Sequence, residues 1–178
     1  MRESLQQRCR MISLIVVVLS VLAWEATPPL IAQERAAEAP NEFNVASIRG
    51  DYAVVNLYGA NLALGIGTVH FDGTGMLRGT LLLNRPTSTG ARELVPLTST
   101  GTYTVNGDGT GTIVLAVTLP DGSIRTATED FVIMRTEVIR RIPVATEIVA
   151  EQREPSLVLG NGVFVTQHYT RRGEEPRD

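Results

Sequence analysis

From about residue 50 to residue 170 the chain repeats one pattern. Six to twelve residues rich in Val, Ile, Leu, Thr and Tyr are followed by a short polar break that carries glycine. Two breaks are near copies, Phe71-Asp72-Gly73-Thr74-Gly75 and Gly107-Asp108-Gly109-Thr110-Gly111. Asp-Gly between two β-prone runs is a strong hairpin signal, because the glycine takes a positive φ at little steric cost. Asp121-Gly122 and Asn161-Gly162 mark further turns. The pattern predicts strands at Gly50–Leu57, Leu64–Phe71, Leu77–Leu83, Thr100–Val105, Thr112–Leu119, Ile124–Met134, Val138–Val149 and Gly162–Thr170. Arg85–Arg92 reads as a longer loop, and Glu151–Ser156, with Pro155, as a loop or a short helical turn. Met134–Val149 reads either as a bent strand pair or as strand with a helical turn near Val144–Val149.

Eight strands with short connections predict an all-β domain, an antiparallel up-and-down barrel or a sandwich. A closed barrel has no free edge to template aggregation. The alternation is imperfect. Ile113-Val114-Leu115-Ala116-Val117, Phe131-Val132-Ile133-Met134 and Leu81-Leu82-Leu83 are apolar on both faces. The outer apolar face needs a cover, and a partner subunit is the simplest one, so a homo-oligomer is expected. An outer-membrane barrel also has an apolar exterior, but it needs aromatic girdles. Aromatics make up only 5% of this chain.

The N-terminus changes the picture of location. Arg2, Arg8 and Arg10 precede an apolar run, Met11–Trp24, broken only by Ser13 and Ser20. The run is short of the roughly 20 residues a bilayer span needs, and it fits a signal-peptide core. The expected organisation is a signal peptide over 1–32, cleaved somewhere between 23 and 32, a polar linker over 33–42, a β-barrel domain over 43–170 and a charged tail over 171–178. The protein is then exported, periplasmic or extracellular. It would meet a membrane only if the N-terminal segment stayed uncleaved. The only cysteine, Cys9, precedes the apolar run, so the mature chain has no disulfide, thiolate nucleophile or cysteine metal site. No lysine occurs, which excludes Schiff-base chemistry and a lysine general base. Cleavage after Ala32 leaves 13 arginines against 17 acidic residues, a charge of −4, and no electrostatic reason to bind nucleic acid.

Ser47-Ile48-Arg49-Gly50-Asp51-Tyr52-Ala53 and the segments Gly65–Gly79 and Gly101–Thr112, each with an Asp-Gly turn and a flanking Gly-Thr, support a family resemblance. Together they resemble a group of exported bacterial proteins of unassigned role named for the allene oxide cyclase barrel. The likeness covers about Phe43–Thr170. It implies a calycin-like eight-stranded antiparallel barrel, and a trimer, since the plant cyclase is one. That cyclase acts on a fatty-acid epoxide without a cofactor. None of its active-site residues maps onto positions here, so no activity is carried over.

Candidate chemistry is sparse. His70 and His168 are the only histidines and lie in different strands, where partly exposed positions are expected rather than a metal site. Asn106–Gly111 offers one carboxylate, Asp108, too few ligands for a calcium loop. Glu129 and Asp130 are adjacent in a strand, so they face opposite ways and cannot form a catalytic pair. If Phe131 and Ile133 face inward, Glu129, Arg135 and Glu137 share that face. Glu129, Phe131, Ile133 and Arg135 are therefore the candidate ligand-binding residues, with Glu129 or Arg135 near the barrel mouth and an arginine within reach of any buried Glu. A salt-bridged rim is the plainer alternative. Arg140-Arg141 and Arg171-Arg172 each split across two strand faces and make no basic patch. No nucleophile elbow, phosphate loop or dinucleotide fingerprint is present. No cofactor and no metal are implied.

The function expected is an exported barrel that binds a small apolar molecule or a protein partner without catalysis. A cofactor-free isomerase or cyclase acting on a hydrophobic substrate, and a structural envelope module with no ligand, are the alternatives.

Overall fold

A computed structural model describes residues 42–59, 62–156, 159 and 162–173. The expected signal peptide and most of the linker and tail lie outside them. Eight strands follow one another as β1 (Arg49–Tyr58), β2 (Ala63–Asp72), β3 (Met76–Pro86), β4 (Arg92–Val105), β5 (Thr110–Thr118), β6 (Ile124–Ile139), β7 (Ile142–Gln152) and β8 (Val165–Arg171). Each pairs antiparallel with the next, and β8 pairs with β1 from Tyr52↔Arg171 to Tyr58↔Val165. The sheet is a closed, eight-stranded up-and-down barrel, and the all-β expectation holds.

The Asp-Gly breaks are the turns the pattern predicts. Gly73, Gly109 and Gly122 have φ of 79°, 86° and 79°. In each turn the aspartate accepts a hydrogen bond from the backbone two residues on. Asp72 Oδ1 takes Thr74 N at 2.7 Å, Asp108 Oδ1 takes Thr110 N at 2.9 Å, and Asp121 Oδ1 takes Ser123 N at 2.9 Å. These bonds occupy the carboxylates as turn formers. Together with the neighbouring hydroxyls, they lower the pKa of all three, Asp72 to about 2.

One alternative is settled and one segment departs from the sequence reading. Met134–Val149 is the strand pair, without a helical turn. β6 runs on to Ile139, turns at Arg140-Arg141 and returns as β7, with Ile139 paired to Ile142. The arginines have φ of 52° and 68°, so this pair forms the turn itself and does not straddle two faces of a strand. β4 begins at Arg92, well before the expected Thr100, and passes through Pro96. At Pro96 the strand is paired with β3 alone, because the β4–β5 ladder starts at Thr98, so the missing N–H is tolerated.

Inward positions alternate along the strands, as in Tyr52, Val54, Asn56 and Tyr58 of β1. The side chains form two buried clusters. One end of the barrel is plugged by rings. Phe71 meets Tyr52, Tyr103 and Tyr169 edge-on at centroid distances of 5.3, 5.2 and 5.9 Å. Each such pair adds about 1 kcal/mol beyond the area it buries. A short 3-10 turn, Val45–Ser47, lies across this end, and Tyr103 Oη donates to Ile48 O at 2.7 Å beneath it. Tyr52 Oη donates to Ala145 O at 2.6 Å. The second cluster contains Tyr58, Ala63, Leu83, Val95, Leu97 and Val165 at the opposite end. Strands approach most closely at two glycines. A Cβ on Gly67 would lie 1.9 Å from Thr80 O, and one on Gly111 2.1 Å from Thr104 O.

The outer face is partly apolar. Val55, Ile66, Leu82 and Pro96 form one register row across β1 to β4, and all four are exposed. Val114, Val132 and Met134 are exposed too, as the strands apolar on both faces require.

Candidate functional site

Between the two clusters the barrel is hollow. The cavity volume is about 70 Å³. Its walls are unlike. β3, β4 and β5 contribute Leu81, Leu97, Leu115 and Val117 together with Thr80, Thr98 and Ser99, while β6, β7, β8 and β1 contribute the buried Glu129, Gln152, Gln167 and Asn56. These last four come from four consecutive strands of the closed sheet. Glu129 is the register partner of Gln152, and Gln167 that of Asn56. All four are buried.

Glu129 has no exposed surface. Gln167 Nε2 donates to its Oε1, and Tyr169 Oη stands 2.9 Å from its Oε2 and 2.5 Å from Gln167 Oε1. The phenol has one proton for two acceptors. An ionised Glu129 would leave one of these oxygen pairs without a proton between them. A protonated Glu129 closes the ring: Glu129 Oε2 donates to Tyr169 Oη, Tyr169 Oη to Gln167 Oε1, and Gln167 Nε2 to Glu129 Oε1. Burial pushes the same way. Desolvation raises the Glu129 pKa from 4.5 to about 7, against the hydrogen bonds from Tyr169 and Gln167, which lower it. Burial together with the adjacent Glu129 charge also pushes the Tyr169 phenol well above its ordinary value. Below about pH 7 the ring is a neutral, hydrogen-bonded device set in the cavity wall. It could lend a proton or a hydrogen bond to a bound group.

The sequence candidates are dispersed by the fold. Glu129 lines the cavity. Phe131 is buried in the plugged end, and Ile133 packs against that cluster. Arg135 is not inside. The β6–β7 register shifts between Ile133 and Arg135 and again before Thr136, and this irregularity carries Arg135 to the surface, where its Nε lies 3.1 Å from Glu147. The expected arginine beside Glu129 is therefore replaced by an amide and a phenol from β8. Glu137 pairs with Arg171, which β8 carries inward at its end. Asp130 faces out and binds Arg153 at 2.6 Å. His70 pairs with Asp51 at 2.8 Å, while His168, on β8, sits opposite Val55.

Asn56, Gln152, Gln167 and Tyr169 are among the cavity residues that escaped the sequence reading. A signal for three of them exists. Val54-x-Asn56-x-Tyr58 and Val165-x-Gln167-x-Tyr169 place polar residues in phase with apolar inward ones. Comparison with known proteins gives no match, whether to family models, curated proteins or solved structures.

Proposed function

We propose that this chain is an exported β-barrel domain that takes up a small, largely apolar molecule in its interior and does not transform it. The observation that carries the reading is the hollow between the two core clusters, with an apolar wall and a few convergent polar groups, the usual make-up of a small-molecule site. A fully packed barrel interior would have favoured a structural envelope module. Export rests on the apolar run Met11–Trp24 after three arginines. The outer row Val55, Ile66, Leu82 and Pro96 supports a homo-oligomer in which a second copy covers that face.

One observation favours a second reading. Glu129 is held as a buried acid that titrates near neutrality, which suits proton transfer in a cofactor-free isomerase or cyclase.

Titration of the mature domain with N-phenyl-1-naphthylamine, an uncharged apolar fluorophore, tests uptake. Saturable enhancement is expected from the native protein. Val117 is half-buried and faces the space, so Val117→Phe fills it and should abolish uptake without unfolding the barrel. Absence of saturable binding by the native protein overturns the binding and enzymatic readings together.

A further inference from the structure

The cavity's polar wall is not fully used by the protein. Asn56 Oδ1 and Gln152 Nε2 are buried and have no hydrogen-bond partner among the described residues. Both side chains line the cavity. Asn56, on β1, is the register partner of Gln167 of the Glu129 ring, and Gln152, on β7, is the register partner of Glu129 itself. A buried polar atom left unpaired costs free energy, and native proteins keep few of them. Here one is an acceptor and one a donor, set on a single polar arc and opening on the same space.

We infer that the molecule taken up is an uncharged amphiphile whose head carries a hydrogen-bond donor and an acceptor side by side, as a primary carboxamide does. This inference rests on the binding function proposed above. The head N–H donates to Asn56 Oδ1 and the head carbonyl accepts from Gln152 Nε2. The apolar body lies along Leu81, Leu97, Leu115 and Val117 on the facing wall. Exchanging O and N in both amides together keeps the requirement for one donor and one acceptor. Charge is selected against. Among the described residues lining the cavity there is no arginine or histidine to pair with an anion. The carboxyl of Glu129, engaged on both oxygens by Gln167 and Tyr169, offers no free partner to a cation.

Competition against bound N-phenyl-1-naphthylamine separates the possibilities. The competitors are octanamide, nonan-2-one (the same shape with the donor replaced by methyl), octanoate and octylammonium. Octanamide is expected to displace the probe at least tenfold more strongly than nonan-2-one, and the two ions more weakly still. Asn56→Leu and Gln152→Met keep the volume and remove one polar group each. Each should retain probe uptake and reduce the octanamide advantage several-fold, and the double variant should abolish it. Two substitutions at separate strands guard against one of them failing to fold, which far-UV circular dichroism reports directly. Probe uptake with equal displacement by octanamide and nonan-2-one overturns this inference and leaves the binding function standing. So does preference for either ion. No probe uptake by the native protein overturns the binding function, and this inference with it.

Discussion

Replacing Glu129 by glutamine probes the ring at the cavity wall most sharply. The ring accommodates a neutral side chain, because Tyr169 Oη, 2.9 Å from Glu129 Oε2, can accept from a glutamine amide there while giving its own proton to Gln167 Oε1. The native carboxyl binds its proton more tightly than the unfolded one, with a pKa of about 7 against 4.5. Its contribution to stability is therefore full below pH 4.5 and is lost as pH climbs through 7. The shift corresponds to about 3 kcal/mol at 1.36 kcal/mol per unit. No solvent discount applies, because the group is fully buried. Urea unfolding followed by far-UV circular dichroism at pH 4 to 8.5 should show the native protein losing about 3 kcal/mol relative to Glu129→Gln across that window. Every other titrating group is common to both proteins and cancels in the difference. Above pH 8 the variant should be the more stable of the two. A level difference curve would refute the neutral ring, and one rising with pH would mean that the ionised carboxylate is the favoured form.

Other expectations follow from the backbone and the surface. Arg141→Gly relieves a positive φ of 68° in a non-glycine residue and should stabilise the barrel by about 1 kcal/mol in urea unfolding. Gly67→Ala drives a Cβ into Thr80 O and should cost at least about 2 kcal/mol, read as a lowered melting temperature. Sedimentation at micromolar protein should show a dimer or trimer that Ile66→Glu dissociates, since Ile66 lies in the outer row that a second copy would cover. A native monomer would contradict that arrangement.

The fold was largely legible because hairpin chemistry is local. Asp72-Gly73, Asp108-Gly109 and Asp121-Gly122 carry their turn geometry in two residues, and the strands beside them follow. The Arg140-Arg141 turn was illegible because arginine has no preference for positive φ. The tertiary pairing of β6 with β7 imposes it. Pro96 hid the first half of β4, since its tolerance depends on which neighbour is absent at that point of the sheet. The site was harder still. Alternation placed Glu129 with Phe131 inside, but the register shift after Ile133 broke the phase before Arg135. Nothing within β6 names the neighbours of Glu129. Gln167 and Tyr169 arrive from 38 and 40 residues away, by closure of the barrel.

The central claim is that a small apolar molecule binds inside the barrel. The most direct test is an isotope-filtered nuclear Overhauser measurement between bound N-phenyl-1-naphthylamine and methyl-labelled protein. The account predicts contacts from the probe to the methyls of Leu81, Leu97, Leu115 and Val117. Contacts confined to the outer row, Val55, Ile66 and Leu82, would place the probe on the surface and contradict it.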